Sequence, residues 1–78
     1  MTAPRIPLSD VPVGQSATII TLGVVGPLRR RLLALGLIPG ETLTVTRVAP
    51  LGDPLEIELK GYRLSLRKAD AGQILVSG

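Results

Sequence analysis

The sequence predicts a mainly β domain, a small five-stranded antiparallel barrel with one inserted α-helix. Three observations lead there. The chain has 78 residues, enough for one domain, and 45% of them are hydrophobic, nearly all Leu, Val, Ile and Ala. Residues 55–66 alternate apolar and polar side chains around a two-residue turn signal, the pattern of a hairpin. Residues 27–35 alone combine a helical period with a proline at the start and a glycine just past the end. In so small a chain, a barrel satisfies strand edges better than an open sheet.

Met1 to Pro7 carries Pro4 and Pro7 and no periodicity, so it reads as a disordered tail that leaves residues 8–78 as the folded domain. Leu8 to Val11 fits one helical turn capped by Ser9, and Pro12-Val13-Gly14 is a turn signal. Gln15 to Leu22 is the first strand, with β-branched Thr18, Ile19, Ile20 and Thr21 suited to a pleated surface. Pro27 to Leu35 is the helix. Leu28, Leu32 and Leu35 share the face that seats on the barrel. Arg29, Arg30 and Arg31 fan around the rest, and the same geometry puts Leu33 and Leu37 on the far side.

After the Pro39-Gly40 turn, Glu41 to Ala49 is the second strand, with Leu43 and Val45 on one face and Thr42, Thr44 and Thr46 on the other. Arg47 then takes the apolar parity, which calls for a bulge near Thr46 or for Arg47 leaving the core. Pro50 to Pro54 is a loop. Leu55, Ile57 and Leu59 alternate with Glu56 and Glu58, and Tyr62, Leu64 and Leu66 with Arg63, Ser65 and Arg67. A two-residue Lys60-Gly61 turn sets Leu59 opposite Tyr62, Ile57 opposite Leu64, Leu55 opposite Leu66 and Glu58 opposite Arg63. Lys68 to Gly72 fits a short helical turn, and Ile74 to Val76 a last strand.

Composition narrows the function. There is no cysteine to form a disulfide and no histidine, so the commonest general base and nucleophile are both missing. The chain reads as no enzyme. Gly23-Val24-Val25-Gly26 lacks the Gly-Lys-Ser/Thr that completes a phosphate loop, and reads as a connection. For a metal, the chain offers only the carboxylates of Asp10, Glu41, Asp53, Glu56, Glu58 and Asp70, whereas Fe(II) sites usually add imidazole. Glu56 and Glu58 face Arg63 and read as a solvated surface, so no dedicated metal or cofactor is expected. The net charge of +3 and the isoelectric point near 10.2 admit a nucleic-acid-binding barrel as the alternative. Against it, the chain has one Tyr, no Phe and no Trp on which bases could stack. The longest apolar stretch, Ala17 to Leu28, is too short and too interrupted to span a bilayer, and the first residues lack the apolar run of a signal peptide. The expected location is the cytoplasm.

Three segments carry a resemblance to a known family. Leu32-Leu33-Ala34-Leu35-Gly36-Leu37-Ile38-Pro39-Gly40, then Ala49-Pro50-Leu51-Gly52-Asp53-Pro54, then Leu64 to Ala71 with Ile74 and Val76, resemble in order and spacing the signatures of the FeoA family. The resemblance implies an SH3-like barrel with a helix inserted after the first strand. It also implies a cytoplasmic, non-catalytic partner of FeoB, the membrane transporter of Fe(II), a transition-metal ion, with a GTP-binding domain. The same fold forms the C-terminal domain of DtxR-like repressors, but the chain is expected to be a stand-alone FeoA rather than the barrel of such a repressor. The expected partner-binding residues are Arg30, Arg31, Leu33, Leu37, Ile38 and Pro39 around the helix end, with Leu51 and Asp53 in the loop. Weak self-association through the same apolar spot is compatible with that role.

Overall fold

The hairpin is the best-specified part of the chain, and the computed structural model, which describes residues 4–77, forms it in the expected register. Strand β4 (Leu55–Leu59) pairs with β5 (Tyr62–Leu66) so that Leu59 faces Tyr62, Ile57 faces Leu64, Leu55 faces Leu66 and Glu58 faces Arg63. Both turn residues take positive φ, 50° at Lys60 and 83° at Gly61, the combination a two-residue turn needs to match strand twist. Leu55, Ile57 and Leu59 are buried. Strand β3 (Thr42–Val48) lies on the other side of β4. Its register shifts between Val45 and Arg47, a bulge, which is the first of the two outcomes that the parity of Arg47 allowed. Thr46 is the residue left over, and its hydroxyl donates to the Glu56 carbonyl oxygen at 3.2 Å.

Strand β2 (Ser16–Leu22) pairs with β3, and hydroxyls meet across the ladder, Ser16 Oγ to Thr44 Oγ1 at 2.7 Å. Strand β6 (Ile74–Ser77) pairs with β2. On its outer side lies β1 (Arg5–Pro7), where a disordered tail was expected. The tail expectation fails at those residues because the free side of β6 offers a ladder that local periodicity cannot reveal; Met1 to Ala3 lie outside the described residues. The result is one antiparallel sheet of six strands rather than five, in the order β1-β6-β2-β3-β4-β5, curled around a single aliphatic core. Among the described residues β1 and β5 do not pair with each other, so the ladder keeps two edges.

Helix α1 (Gly26–Ala34) follows β2, with Pro27 in its first turn. Leu32 is buried, and Leu28 and Leu35 pack against the core, as the helical period requires. The helix ends at Gly36, which takes φ 99°. The Leu37 N–H donates to the Leu32 oxygen at 2.9 Å and the Gly36 N–H to the Leu33 oxygen at 3.0 Å. This is a Schellman ending, and it turns the chain back on itself. Leu37 therefore points inward beside Leu32, both essentially inaccessible, instead of continuing around the helix to its far side. Leu33 is likewise half-buried against the core.

Two small helical pieces pack against each other. Leu8–Asp10 is a single 3-10 turn that buries Leu8. No side chain caps it, so the role expected of Ser9 is not realised; the turn is held by the Val11 N–H on the Leu8 oxygen at 3.1 Å. Helix α2 (Lys68–Ala71) joins β5 to β6 and buries Ala71. Among the described residues no helix is long and apolar enough to cross a membrane.

Candidate partner-binding surface

The residues expected to contact a partner fall into three sets. Leu37 belongs to none of them: it is 0% exposed and is part of the core, which corrects its assignment to the surface. Leu33 presents only part of its side chain. Ile38, 39% exposed, and the exposed Pro39 form the first set, at the turn between α1 and β3. That turn is pinned to β2, with the Gly40 N–H on the Ile19 oxygen and the Ile19 N–H on the Glu41 oxygen, each 2.8 Å.

Leu51 and Asp53 form the second set. Leu51 is 95% exposed, the most exposed of the large hydrophobic side chains. Its loop is braced on both sides. The Gly52 N–H donates to the Ala49 oxygen at 2.7 Å, and the Asp53 carboxylate accepts the Lys68 backbone N–H at 3.0 Å. Asp53 thus ties the loop to the start of α2. These two sets do not form one patch. The turn enters β3 at Thr42 and the loop leaves it at Val48, so a seven-residue strand of about 20 Å separates them.

Arg30 and Arg31 form the third set, and both are exposed. Among the described residues the ion pairs are Lys60 with Glu41 and Arg63 with Glu56 and Glu58, so neither of these arginines has an acidic partner. Arg31 borders a groove of about 230 Å³ between α1 and β5, shared with Leu28, Leu64, Ser65, Arg67 and Asp70. Arg30 lies outside it.

The sequence pattern missed two features of this surface. Val25, 79% exposed, stands immediately before α1, where a connecting segment gave no reason to single it out. The open edge of β5 was hidden by the expectation of a closed five-stranded ladder. Its charged alternation, Arg63 and Arg67 around Ser65, is the signal that could have marked an edge. Tyr62 is half-buried against the core beside Gly36, and its buried hydroxyl has no hydrogen-bond partner among the described residues. No group of three or more Asp or Glu side chains among the described residues could hold a metal ion.

Comparisons with known proteins follow the same lines. The model of the FeoA domain matches residues 6–78. A fusion of Fe(2+) transport protein A with the Fe(2+) transporter FeoB from Porphyromonas gingivalis is 39% identical over 69 residues, 88% of this chain and 8% of that protein. The chain thus spans less than a tenth of that curated relative. The solution structure of FeoA from Chlorobium tepidum superposes with a TM-score of 0.88 at 39% identity, covering 92% of this chain and 69% of that one. The zinc complex of FeoA from Stenotrophomonas maltophilia, described as a procaryotic SH3 domain protein and a candidate ferrous iron transport activating factor, gives 0.78 at 28% identity, covering 90% and 87%.

Proposed function

The chain belongs to the FeoA family, and from that premise we propose that it is a cytoplasmic, non-catalytic accessory protein that binds FeoB and modulates Fe(II) uptake. The observation that carries this reading is the fusion relative, in which a segment 39% identical to 88% of this chain shares one polypeptide with the transporter. Two activities joined covalently operate at one place, and separate chains achieve the same only by binding. The outer surface suits that task. Leu51 stands out from a loop braced by Asp53, an apolar anchor held ready and so cheap to order on binding. Arg30 and Arg31 offer cations with no ion-pair partner among the described residues. Leu51 and Ile38 lie at opposite ends of β3, so a partner that uses both must span the barrel.

The test is co-purification with detergent-solubilised FeoB, paired with Fe(II) uptake in a strain lacking this protein. Wild type should co-purify and restore uptake. Leu51→Asp and the double change Arg30→Glu with Arg31→Glu should each reduce co-purification while the circular dichroism spectrum stays that of the folded domain. Absence of co-purification together with unchanged uptake would reject the proposal. Full retention by the folded variants would move the contact elsewhere on the surface.

A further inference from the structure

We propose that the open edge of β5, together with the groove that separates it from α1, is a strand-addition site for an extended partner segment whose side chains alternate between acidic and apolar. The inference goes beyond the identity of the partner, and its test needs none of the transport machinery. Strand β5 ends the sheet, and among the described residues nothing pairs with its outer side. In a hairpin with a two-residue turn, the residues flanking the turn exchange both backbone bonds, and bonded pairs then alternate with unbonded ones. Leu59 with Tyr62, Ile57 with Leu64 and Leu55 with Leu66 are therefore the bonded pairs. Arg63 and Ser65 must direct their N–H and C=O groups away from β4, toward the open side. An incoming strand meets those four groups.

Natural edges are often blunted by charged side chains. Here the charge in mid-strand does not stand in the way. The Arg63 guanidinium leans back across the sheet, 3.4 Å from Glu58 and 4.0 Å from Glu56 on β4. Ser65, the other residue facing the edge, is small. Beyond the edge lies the groove of about 230 Å³, with Leu28 and Leu64 on its walls. Both side chains pack on the core yet remain partly accessible, although Ile57, the neighbour of Leu64 on β4, is fully buried. The missing cover is on the groove side.

Charge selects the occupant. Arg31 and Arg67 border the groove against a single carboxylate, Asp70, and among the described residues no ion pair joins them. An added strand places alternate residues on opposite faces. Those on the groove side meet Leu64 and Leu28, and those on the outer side lie beside Arg63 and Arg67. Apolar residues suit the first and carboxylates the second. A single-stranded nucleic acid would match the charge, but it neither pairs with backbone amides in this way nor finds an aromatic platform here.

The probe is a blocked peptide of alternating Glu and Val residues, with alternating Lys and Val as its counterpart, added to isotope-labelled protein at low salt and read by amide shifts and amide hydrogen exchange. The acidic peptide should saturate, should slow exchange at Arg63 and Ser65, and should bind about tenfold more tightly than the basic one, since like charges across a strand pair repel. Ser65→Pro should abolish binding, because it removes an edge N–H that β4 does not use and so leaves the hairpin intact. Ser65→Ala should bind as wild type. If Ser65→Pro fails to fold, the double change Arg31→Glu with Arg67→Glu decides instead, by reversing the preference toward the basic peptide. Failure of the acidic peptide to saturate, shifts centred on Leu51 or Ile38, undiminished binding by folded Ser65→Pro, or the same amide protection from a single-stranded oligonucleotide would each overturn the proposal.

Discussion

Replacing Leu37 by Ala separates a core residue from a contact residue. The side chain is 0% exposed and sits beside Leu32 where the helix ending folds back. Removing three buried carbons loses their transfer energy and leaves a cavity, about 3 kcal/mol within the range of about 2–5 kcal/mol seen for such changes. A domain of 78 residues has a total stability of about 4–12 kcal/mol. The variant should therefore lose between a quarter and most of its margin. With an unfolding entropy of about 0.16 kcal/mol/K for this length, the melting temperature should fall by about 18 °C. Urea titration and thermal melting, followed by far-ultraviolet circular dichroism, measure both quantities. Leu51→Ala is the control: a 95% exposed side chain has little burial to lose, and its stability should stay within about 0.5 kcal/mol of wild type. A Leu37→Ala loss below about 1 kcal/mol, or a Leu51→Ala loss as large as that of Leu37→Ala, would refute the division of these two leucines.

Gly23→Ala should cost about 2 kcal/mol or more in the same urea titration, because a Cβ there would lie 2.5 Å from the Gln73 carbonyl oxygen, which accepts the Gly23 N–H at 2.6 Å. Asp53→Ala should cost about 1 kcal/mol through loss of the bond to the Lys68 N–H, with faster amide exchange at Gly52 and Lys68 as the loop loosens. Arg63→Ala should cost less than about 1 kcal/mol, and less still at high salt, since its two pairs are exposed and screened; melts at low and high ionic strength measure the difference.

Much of the fold was legible because neighbouring residues dictated it. The β4–β5 register followed from a two-residue turn and two alternating segments that agree on both faces. The bulge in β3 was one of the two outcomes that the parity of Arg47 allowed. The helix face followed from three leucines at helical spacing. What was illegible depends on long-range or three-dimensional information. Arg5–Pro7 becomes a strand only because β6, about seventy residues later, offers a free side. Leu37 was assigned to the outside by extending the helical period through Gly36, whereas the positive φ at that glycine resets the direction of everything after it. Leu51, Ile38 and the two arginines are exposed, but their spacing around the barrel could not be read from the chain. Only the length of β3 shows that two of the apolar spots lie at opposite ends.

The distribution of charge follows from the same folding pattern. Of six acidic side chains, Glu56 and Glu58 on β4 pair with Arg63 on β5, Glu41 just before β3 pairs with Lys60 in the hairpin turn, and Asp53 is bonded to a backbone amide. The two Arg63 pairs sit on strands whose other face is fixed by the core, so their positions were set when the apolar alternation was set. Helix α1 carries three consecutive arginines and no carboxylate, and Arg67 and Lys68 follow at the start of α2. A net charge of +3 is thereby concentrated on the side of the helix instead of being spread over the domain. The acidic residues that steady the hairpin leave the arginines of the helix without an ion-pair partner among the described residues.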